Sequence, residues 1–273
     1  MGVPMDLAHE LLDYEEPLRT AAAPSPGEML LDVGCGAGAT SRDLAPAAAP
    51  GRVLGVDISA ESLARAEQLT RESGIENVDF LCADAQTHPW PGPAFDAVVS
   101  RFGVMFFDDA PTAFGNLRRA LRPGGRLALL VWQGRLRNEW AVLVDRVFDG
   151  VFGPPGRAAP GTGPFSLGDA RAARGVVGAA GFARVRLHAV ERPVRYGTDL
   201  DEAVEFVSWF SSARLAELAP ARREAALAAL RAELDHRRDR TGEIRLGARA
   251  WLVTAVNPPS PRDVPVPSRG NGR

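Results

Sequence analysis

The chain has 273 residues, 45% of them hydrophobic, which is enough apolar material for one large or two small domains. Its formal net charge is −2 and every Lys/Arg position is an arginine, so it lacks the cationic excess that would hold a nucleic-acid backbone. Nucleic acid is therefore not an expected partner.

The cysteines and the first residues indicate a cytoplasmic protein. Cys35 and Cys82 have no CxxC or Cys/His spacing, so neither a disulfide framework nor a zinc site is expected. The first ten residues, MGVPMDLAHE, lack the basic start and the apolar stretch of a signal peptide. No apolar run approaches the roughly 18 to 20 residues that a membrane span needs, so no membrane partner is expected.

Strands alternate with helices along the first half of the chain. Apolar positions near helical spacing from Asp6 to Ala22 predict an N-terminal helical flap, residues 1–26. The elements that follow are a strand at 29–33, a helix at 40–48, a strand at 52–57, a helix capped by Ser59 and ending near Ser73, strands at 78–84 and 95–102, a helix at 111–122, a Pro-Gly-Gly turn at 123–125 and a strand at 126–132. This alternation predicts a parallel sheet with helices on both faces.

The second half contains an insertion and a tail. In chain order we expect a helix at 138–152, a Pro/Gly-rich loop at 153–164, a helix at 169–180, a strand at 182–190, helices at about 199–215 and 220–238, and a last strand at 249–256. The loop is either a substrate lid or a plain surface loop. Residues 199–240 form a helical insertion between the sixth and seventh strands. The folded domain covers 1–257, and the proline-rich tail 258–273 is predicted to be disordered.

A glycine-rich loop follows the first strand. The stretch from Gly34 to Ala39 matches the pattern G-x-G-x-x-G/A, in which glycines let the backbone approach a ligand closely. Asp57 ends the second strand, 23 residues after Gly34, at a position suited to hold a ribose. Dehydrogenases and methyltransferases share this pattern, so it does not distinguish them.

Three further features separate the two classes. Asp32 precedes the first glycine by two positions, and Asp84-Ala85 ends the third strand. The third feature is FDAVVSRFGVMFFDD, residues 95–109, followed by LRRALRPGGRLALLVW, residues 117–132. With these motifs, residues 27–133 resemble the class I S-adenosylmethionine-dependent methyltransferases, most closely the ubiquinone/menaquinone-type and small-molecule group.

The resemblance implies both a fold and a cofactor. The fold is a doubly wound, Rossmann-like α/β sheet of seven strands, mostly parallel with the last strand antiparallel, and the cofactor is S-adenosylmethionine. In the family, a carboxylate like Asp32 lies near the methionine ammonium. A carboxylate like Asp84 accepts a hydrogen bond from the adenine amino group, and the backbone N–H that follows, here Ala85, meets a ring nitrogen. The expected cofactor contacts are Asp32, Gly34, Cys35, Gly36, Gly38, Thr40, Asp57, Ile58, Asp84, Ala85, Gln86, Ser100 and Arg101.

No residue stands out as a catalytic base, and displacement at a sulfonium methyl group needs alignment more than a base. The candidates are His9 and Tyr14 on the flap, for which packing or solvent exposure is the alternative role. The expected acceptor pocket contains Tyr14, Phe102, Met105, Trp132 and Trp140, and the last four are equally suited to the core.

Two kinds of chemistry are disfavoured, namely metal-assisted methyl transfer and methylation of the amino groups of nucleic-acid bases or protein amides. The Asp108-Asp109 pair stands alone, so a metal-independent reaction is expected. Residues 100–103, Ser-Arg-Phe-Gly, stand where amino-methylating relatives have Asn/Asp-Pro-Pro followed by an aromatic residue.

The leading hypothesis is methyl transfer to an oxygen or carbon of a small, mostly apolar metabolite such as a secondary metabolite. One alternative is a cyclase of the same fold that binds the cofactor without transferring methyl. Others are an NAD-dependent oxidoreductase and a silent binding module. A homodimer is compatible with the sequence, which identifies neither the acceptor nor its reacting atom.

Overall fold

Seven strands form the central sheet of the computed structural model, which describes residues 10–152 and 163–259. The described residues contain two further strands, β7 and β8, which lie outside this sheet. All strands in chain order are β1 Met29–Val33, β2 Arg52–Asp57, β3 Val78–Cys82, β4 Phe95–Arg101, β5 Leu121–Trp132, β6 Ala183–Glu191, β7 Val194–Gly197, β8 Ile244–Leu246 and β9 Arg249–Val256. The sheet has the order β3-β2-β1-β4-β5-β9-β6, and β9 is antiparallel to both of its neighbours. The doubly wound, seven-stranded prediction with an antiparallel last strand is confirmed.

Helices cover both faces of this sheet. They are α1 Glu15–Ala22, α2 Ala39–Ala48, α3 Ala60–Glu72, α4 Ala110–Ala120, α5 Glu139–Phe152, α6 Ala170–Ala179, α7 Leu200–Phe210, α8 Ser212–Ala216 and α9 Pro220–Asp235. The central strands are buried from both sides, as their continuous apolar sequences require. In β5, for example, Leu127 to Val131 have at most 1% of their surface exposed. None of the helices in the described ranges is both long and apolar enough to span a bilayer.

Capping residues explain several helix starts. Ser59 accepts a hydrogen bond from the Ser62 amide and begins α3, as the sequence predicts. Asp109 accepts one from the Thr112 amide and begins α4. The Asp108-Asp109 pair therefore includes a helix cap.

The junction between α4 and β5 differs from the sequence prediction. The helix ends at Ala120, and β5 begins at once because Leu121 pairs with Phe95 of β4. The glycine pair, predicted as a turn before the strand, lies within β5, where a register shift in the β4 pairing accommodates it. The Gly124 amide donates to the Asn257 carbonyl at 2.7 Å, which ties this segment to the end of β9.

A second, two-stranded sheet was not predicted. Strands β7 and β8 pair antiparallel at the two ends of the segment that carries α7, α8 and α9. The helical insertion therefore enters and leaves the domain through one small sheet.

The described part of the N-terminal flap packs against the central sheet as an integral part of the fold. Leu18 and Ala22 of α1 are fully buried, and α1 packs against β4 and β5. The Arg126 guanidinium binds the carbonyl groups of Ala22 and Ala23, which fixes the end of the helix. Residues 1–9 of the flap, 153–162 of the predicted loop and 260–273 of the predicted tail lie outside the described residues.

Candidate functional site

A cavity of about 690 Å³ opens at the carboxyl ends of β1 to β5, beside the point between β1 and β4 where the strand order reverses. Open α/β sheets bind ligands in this crevice. One end, here called the polar half, is lined by residues 34–37 and by Asp32, Asp57 and Asp84. The other end, here called the aromatic chamber, is lined by Phe102, Met105, Trp132, Trp140, Tyr196 and Phe206.

Close backbone contact shapes the glycine loop. Gly34 has φ +68° and its amide donates to the Val56 carbonyl at 2.8 Å. A Cβ at Gly34 would lie 2.7 Å from the Cα of Gly103, and one at Gly103 would lie 2.6 Å from the Val33 carbonyl oxygen. The loop after β1 therefore touches the loop after β4 without an intervening side chain, which only glycine permits.

Asp57 is oriented by two backbone amides. Its Oδ2 accepts the Gly36 N–H at 2.8 Å and its Oδ1 accepts the Ser59 N–H at 2.9 Å. A carboxylate has about four acceptor positions, so these bonds leave further capacity for ligand hydroxyl groups. Ile58, 77% exposed, lies beside it as an apolar rim of the cavity.

Asp32 is a buried carboxyl group with an unused oxygen. Its Oδ2 accepts the Ser41 hydroxyl at 2.7 Å, whereas its Oδ1 has no hydrogen-bond partner among the described residues. Burial raises the pKa of Asp32 to about 7, although the Ser41 hydrogen bond opposes the shift. A cationic ligand group would satisfy the orphaned oxygen and favour the ionised form.

The turn after β3 presents Asp84, Ala85 and Gln86 to the cavity. Asp84 accepts the Gln86 amide N–H at 2.9 Å, and the Gln86 side-chain nitrogen lies 3.3 Å from both Asp84 carboxylate oxygens. The Asp84 carboxylate is thus held at the cavity edge from its own turn.

A nearly buried ion pair flanks the polar half. Arg101 lies 2.9 Å from Glu15, and their side chains are only 10% and 13% exposed. Burial raises the pKa of Glu15, while Arg101 and the Thr40 hydroxyl, 3.3 Å away, oppose the shift. Sequence reasoning missed Glu15 because an acidic residue in the first turn of a helix is already explained by the helix dipole.

Aromatic side chains from distant chain segments build the other end. Phe102 stacks on Trp132 with ring centroids 3.8 Å apart, and Trp140 follows at 5.5 Å from Trp132. Tyr196 from β7 and Phe206 from α7 meet edge to face at 5.0 Å. These two residues were not predicted, since their segment showed no motif linking it to the crevice.

Comparison with known proteins identifies the family. A family model described as a methyltransferase domain matches residues 31–129. Demethylmenaquinone methyltransferase of Thermus thermophilus is 37% identical over 149 residues, which cover 52% of this chain and 67% of that protein. The chain belongs to the class I S-adenosylmethionine-dependent methyltransferases.

Two other methyltransferases are similar in sequence. Nocamycin O-methyltransferase of Saccharothrix syringae is 34% identical over 192 residues, 66% of this chain and 65% of that one. Aklanonic acid methyltransferase DauC of Streptomyces sp. (strain C5) is 34% identical over 126 residues, 45% of this chain and 53% of that one. The chain thus spans between 53% and 67% of the length of these three relatives.

Solved structures agree with the family fold. The YcgJ protein of Bacillus subtilis superimposes with a TM-score of 0.61 at 20% identity, over 91% of this chain and 100% of that one. The [4+2]-cyclase SpnF superimposes with a TM-score of 0.57 at 22% identity, over 91% of this chain and 81% of that one. At these identities the likeness concerns the fold alone.

S-adenosylmethionine is the cofactor of this methyltransferase family, and two observations show that the polar half fits it. The orphaned Asp32 oxygen suits the cofactor's ammonium group, and the cavity-facing glycine loop offers backbone to a closely bound ligand. Most of the cofactor contacts expected from the sequence line the cavity, namely Asp32, Gly34, Cys35, Gly36, Thr40, Asp57, Ile58, Asp84, Ala85, Gln86 and Arg101.

Two expected cofactor contacts of this methyltransferase do not line the cavity. Ser100 is fully buried, and its hydroxyl is used within the protein: it donates to the Val33 carbonyl at 2.7 Å and accepts the Gly103 and Val104 amides. Gly38 does not line the cavity. It is the N-cap of α2, where a Cβ would lie 2.7 Å from the Phe80 ring.

Of the two catalytic candidates, the structure describes only Tyr14, which does not line the cavity. Tyr14 is fully buried beneath it, its hydroxyl donates to the Arg192 carbonyl at 2.9 Å, and its ring packs on Phe102 and Trp132. Burial raises the pKa of Tyr14, which makes it unsuitable as a base. His9 lies outside the described residues. Of the predicted acceptor pocket, Phe102, Met105, Trp132 and Trp140 line the chamber.

Proposed function

We propose that this protein transfers the methyl group of S-adenosylmethionine to an oxygen or carbon of a small, mostly apolar metabolite and releases S-adenosylhomocysteine. The observation that carries the proposal is one continuous cavity that joins a polar half suited to the cofactor with an aromatic chamber. Pockets of this kind bind small molecules, with apolar walls supplying affinity and few polar groups supplying orientation.

Each group of the polar half has a role in this proposal. Asp32 pairs with the cofactor's ammonium, Asp57 accepts hydrogen bonds from the ribose hydroxyls, and Asp84 with the Ala85 N–H reads the adenine edge. The two hydrogen bonds from backbone amides to Asp57 support this because they orient its carboxylate before a ligand binds. Pre-orientation lowers the entropy cost of binding.

The bound cofactor would supply an electrophilic methyl carbon with a neutral thioether as leaving group. The protein's task is to hold the acceptor in line with that carbon and to exclude water. The walls of the aromatic chamber support the exclusion of water, since Trp132, Trp140 and Phe206 are each at most 8% exposed. Burial raises the pKa of Tyr196, so its hydroxyl stays protonated and is suited to orient an acceptor oxygen.

The relatives support a secondary metabolite as acceptor. Two of them are named as methyltransferases of nocamycin and of aklanonic acid. For this chain such an acceptor is a proposal, as are its cytoplasmic location, a homodimeric state and metal-independent chemistry.

A second candidate is cyclisation without methyl transfer. It is favoured by the structural likeness to the [4+2]-cyclase SpnF and by the apolar chamber, which would hold a folded hydrocarbon chain. The two functions differ in stoichiometry, because only methyl transfer releases one S-adenosylhomocysteine for each product formed.

Calorimetric titration tests the cofactor half of the proposal. Wild type, Asp57→Ala and the control Asp79→Ala are titrated with S-adenosylmethionine, S-adenosylhomocysteine and NADH. Asp79 is a carboxylate on the neighbouring strand that pairs with Arg52 at the surface. We expect wild type and Asp79→Ala to bind both adenosyl ligands, and Asp57→Ala to bind them about 10- to 100-fold more weakly. Binding of NADH alone would overturn the proposal.

Incubation with methyl-labelled S-adenosylmethionine and a panel of apolar phenols, enols and carboxylic acids tests the reaction. Label in an organic-soluble product, with equimolar S-adenosylhomocysteine, is the expected result. Conversion of an acceptor without label transfer would favour the cyclase.

A further inference from the structure

Two side-chain amides tie the turn after β3 to helix α4. The turn, residues 84–88, carries the Asp84 carboxylate at the cavity edge. The Gln86 side-chain oxygen accepts the backbone N–H groups of Asp108 and Asp109 at 2.8 and 3.2 Å, at the start of α4. The Asn116 side chain of α4 donates to the carbonyl groups of Ala85 and His88 at 3.0 and 2.9 Å.

The chemistry of these partners leaves one orientation for the Gln86 amide. Backbone N–H groups only donate, so the end that faces Asp108 and Asp109 must be the oxygen. The end that faces Asp84 must then be the NH₂ group, which suits an ionised carboxylate that only accepts. Its nitrogen lies 3.3 Å from each Asp84 oxygen. Gln86 therefore connects α4 to Asp84 and presents a donor to it.

The neighbouring backbone amide is also prepared for a ligand. Asn116 occupies the Ala85 carbonyl, whereas the Ala85 N–H makes no hydrogen bond to any described residue. Ala85 is 5% exposed and lines the cavity. The turn thus presents a fixed acceptor, the Asp84 carboxylate, beside a free donor, the Ala85 N–H.

We propose that Gln86 is a positioning residue that holds the Asp84 carboxylate as a hydrogen-bond acceptor and thereby makes the site select a 6-aminopurine over a 6-oxopurine. This inference rests on the proposed function, which places the adenine of the cofactor at this turn. An adenine edge offers an amino donor and a ring-nitrogen acceptor, which complement Asp84 and Ala85.

A hypoxanthine edge reverses both groups. It offers a carbonyl oxygen to the Asp84 carboxylate and a ring N–H to the Ala85 N–H, so acceptor meets acceptor and donor meets donor. A site whose partners are held in place rejects such an analogue strongly, because the mismatched groups are left unpaired. A carboxylate that is free to rotate away would tolerate the analogue. Loss of the Gln86 tie should therefore lower the selectivity of the site.

The experiment compares S-adenosylhomocysteine with its deaminated analogue S-inosylhomocysteine by calorimetry. The proteins are wild type, Gln86→Leu, Gln86→Glu and the control Gln68→Glu, which makes the same change on an exposed face of α3. Wild type and the control should prefer the adenosyl ligand by roughly 100-fold or more. Gln86→Leu should lower that ratio about tenfold, as expected for the loss of one hydrogen bond to a charged group.

Gln86→Glu adds a readout that a merely structural role would not produce. The introduced carboxyl group would face Asp84, and like charges at this distance favour retention of a proton. The protonated form restores a donor to Asp84. The affinity of the variant for S-adenosylhomocysteine, relative to wild type, should therefore rise about tenfold between pH 8 and pH 5.5. Asp108, Asp109 and His88 also face this region, and dividing by the wild-type value at each pH removes their contribution.

Thermal unfolding of each variant shows whether it is folded at the titration temperature. The inference is overturned if wild type binds S-adenosylhomocysteine selectively and folded Gln86→Leu keeps the wild-type ratio. It is also overturned if Gln86→Glu has no relative pH dependence. Failure of wild type to bind S-adenosylhomocysteine would instead overturn the proposed function, and this inference with it.

Discussion

The polar half and the aromatic chamber share one cavity but are constructed differently. The polar half consists of strand ends, backbone amides and three carboxylates that lie within 53 residues of chain, from Asp32 to Asp84. The chamber draws on residues between Phe102 and Phe206, and one wall comes from the helical insertion. The polar half therefore depends on local chain geometry, whereas the aromatic chamber depends on packing between distant chain segments.

Because of this difference, residues of the polar half should contribute mainly to ligand binding and residues of the chamber mainly to folding stability. In the polar half, side chains are held by specific hydrogen bonds and few of them fill the core. In the chamber, the residues that would touch an acceptor are also core residues: Phe102 and Trp132 are 7% and 6% exposed and stack on each other. Substitutions should therefore affect ligand affinity at one end and folding at the other.

Trp132→Ala should have the largest effect on stability. Truncation of a buried aromatic residue leaves a cavity and costs about 3–5 kcal/mol of unfolding free energy. Chemical denaturation measures this cost. Trp132→Phe is the matched control, because it keeps a ring against Phe102 and should cost less. If the two variants were equally stable, the chamber would not be part of the core.

Gly34→Ala should break the rule that the polar half contributes little to stability. Its Cβ would collide with Gly103 at a positive φ, which should cost about 2–4 kcal/mol. Gly36→Ala has a similar φ of +54° but meets nothing within 4 Å, so about 1–2 kcal/mol is expected. Denaturation of both variants isolates the collision, and equal losses would contradict it.

Asp32→Asn should weaken cofactor binding and, at pH 8, stabilise the ligand-free protein. Because the folded pKa of about 7 lies above the ordinary value of 3.8, ionisation destabilises the fold as pH rises through this range. The variant avoids that loss, so its stability relative to wild type should be about 1–3 kcal/mol greater at pH 8 than at pH 4.

Denaturation at the two pH values measures this difference, and S-adenosylmethionine titration should show weaker binding by the variant at pH 8. A stability difference that does not change with pH would contradict the assignment. The assignment of Asp32 to the cofactor's ammonium group would also be contradicted if the affinity of wild type for the cofactor fell as the pH rose through 7.

Tyr14→Phe should have the smallest effect. It removes the hydrogen bond to the Arg192 carbonyl, at a cost of about 0.5–1.5 kcal/mol, and keeps the ring contacts. Cofactor affinity should stay within a factor of about two. A large loss of methyl transfer with unchanged stability would return Tyr14 to the catalytic candidates.

The same difference explains what could be read from the sequence. Asp57 and Asp84 were predictable because each directly follows a strand, and parallel strands bring such residues to one edge. Strand β9 was also predicted, with its bounds at 249–256. Tyr196 and Phe206 reach the cavity only through the pairing of β7 with β8, which no local pattern indicates. The burial of Ser100 could not be predicted, because a strand-end position does not show whether its hydroxyl is already used by the backbone.

The small sheet of β7 and β8 has a consequence for how this protein can change over evolutionary time. It joins the two ends of one contiguous segment, and that segment carries one wall of the aromatic chamber but none of the carboxylates of the polar half. A single recombination within the coding sequence between these strands could replace that wall while leaving the cofactor-binding residues untouched. If the aromatic chamber binds the acceptor as proposed, exchange of this one block of sequence would change acceptor preference.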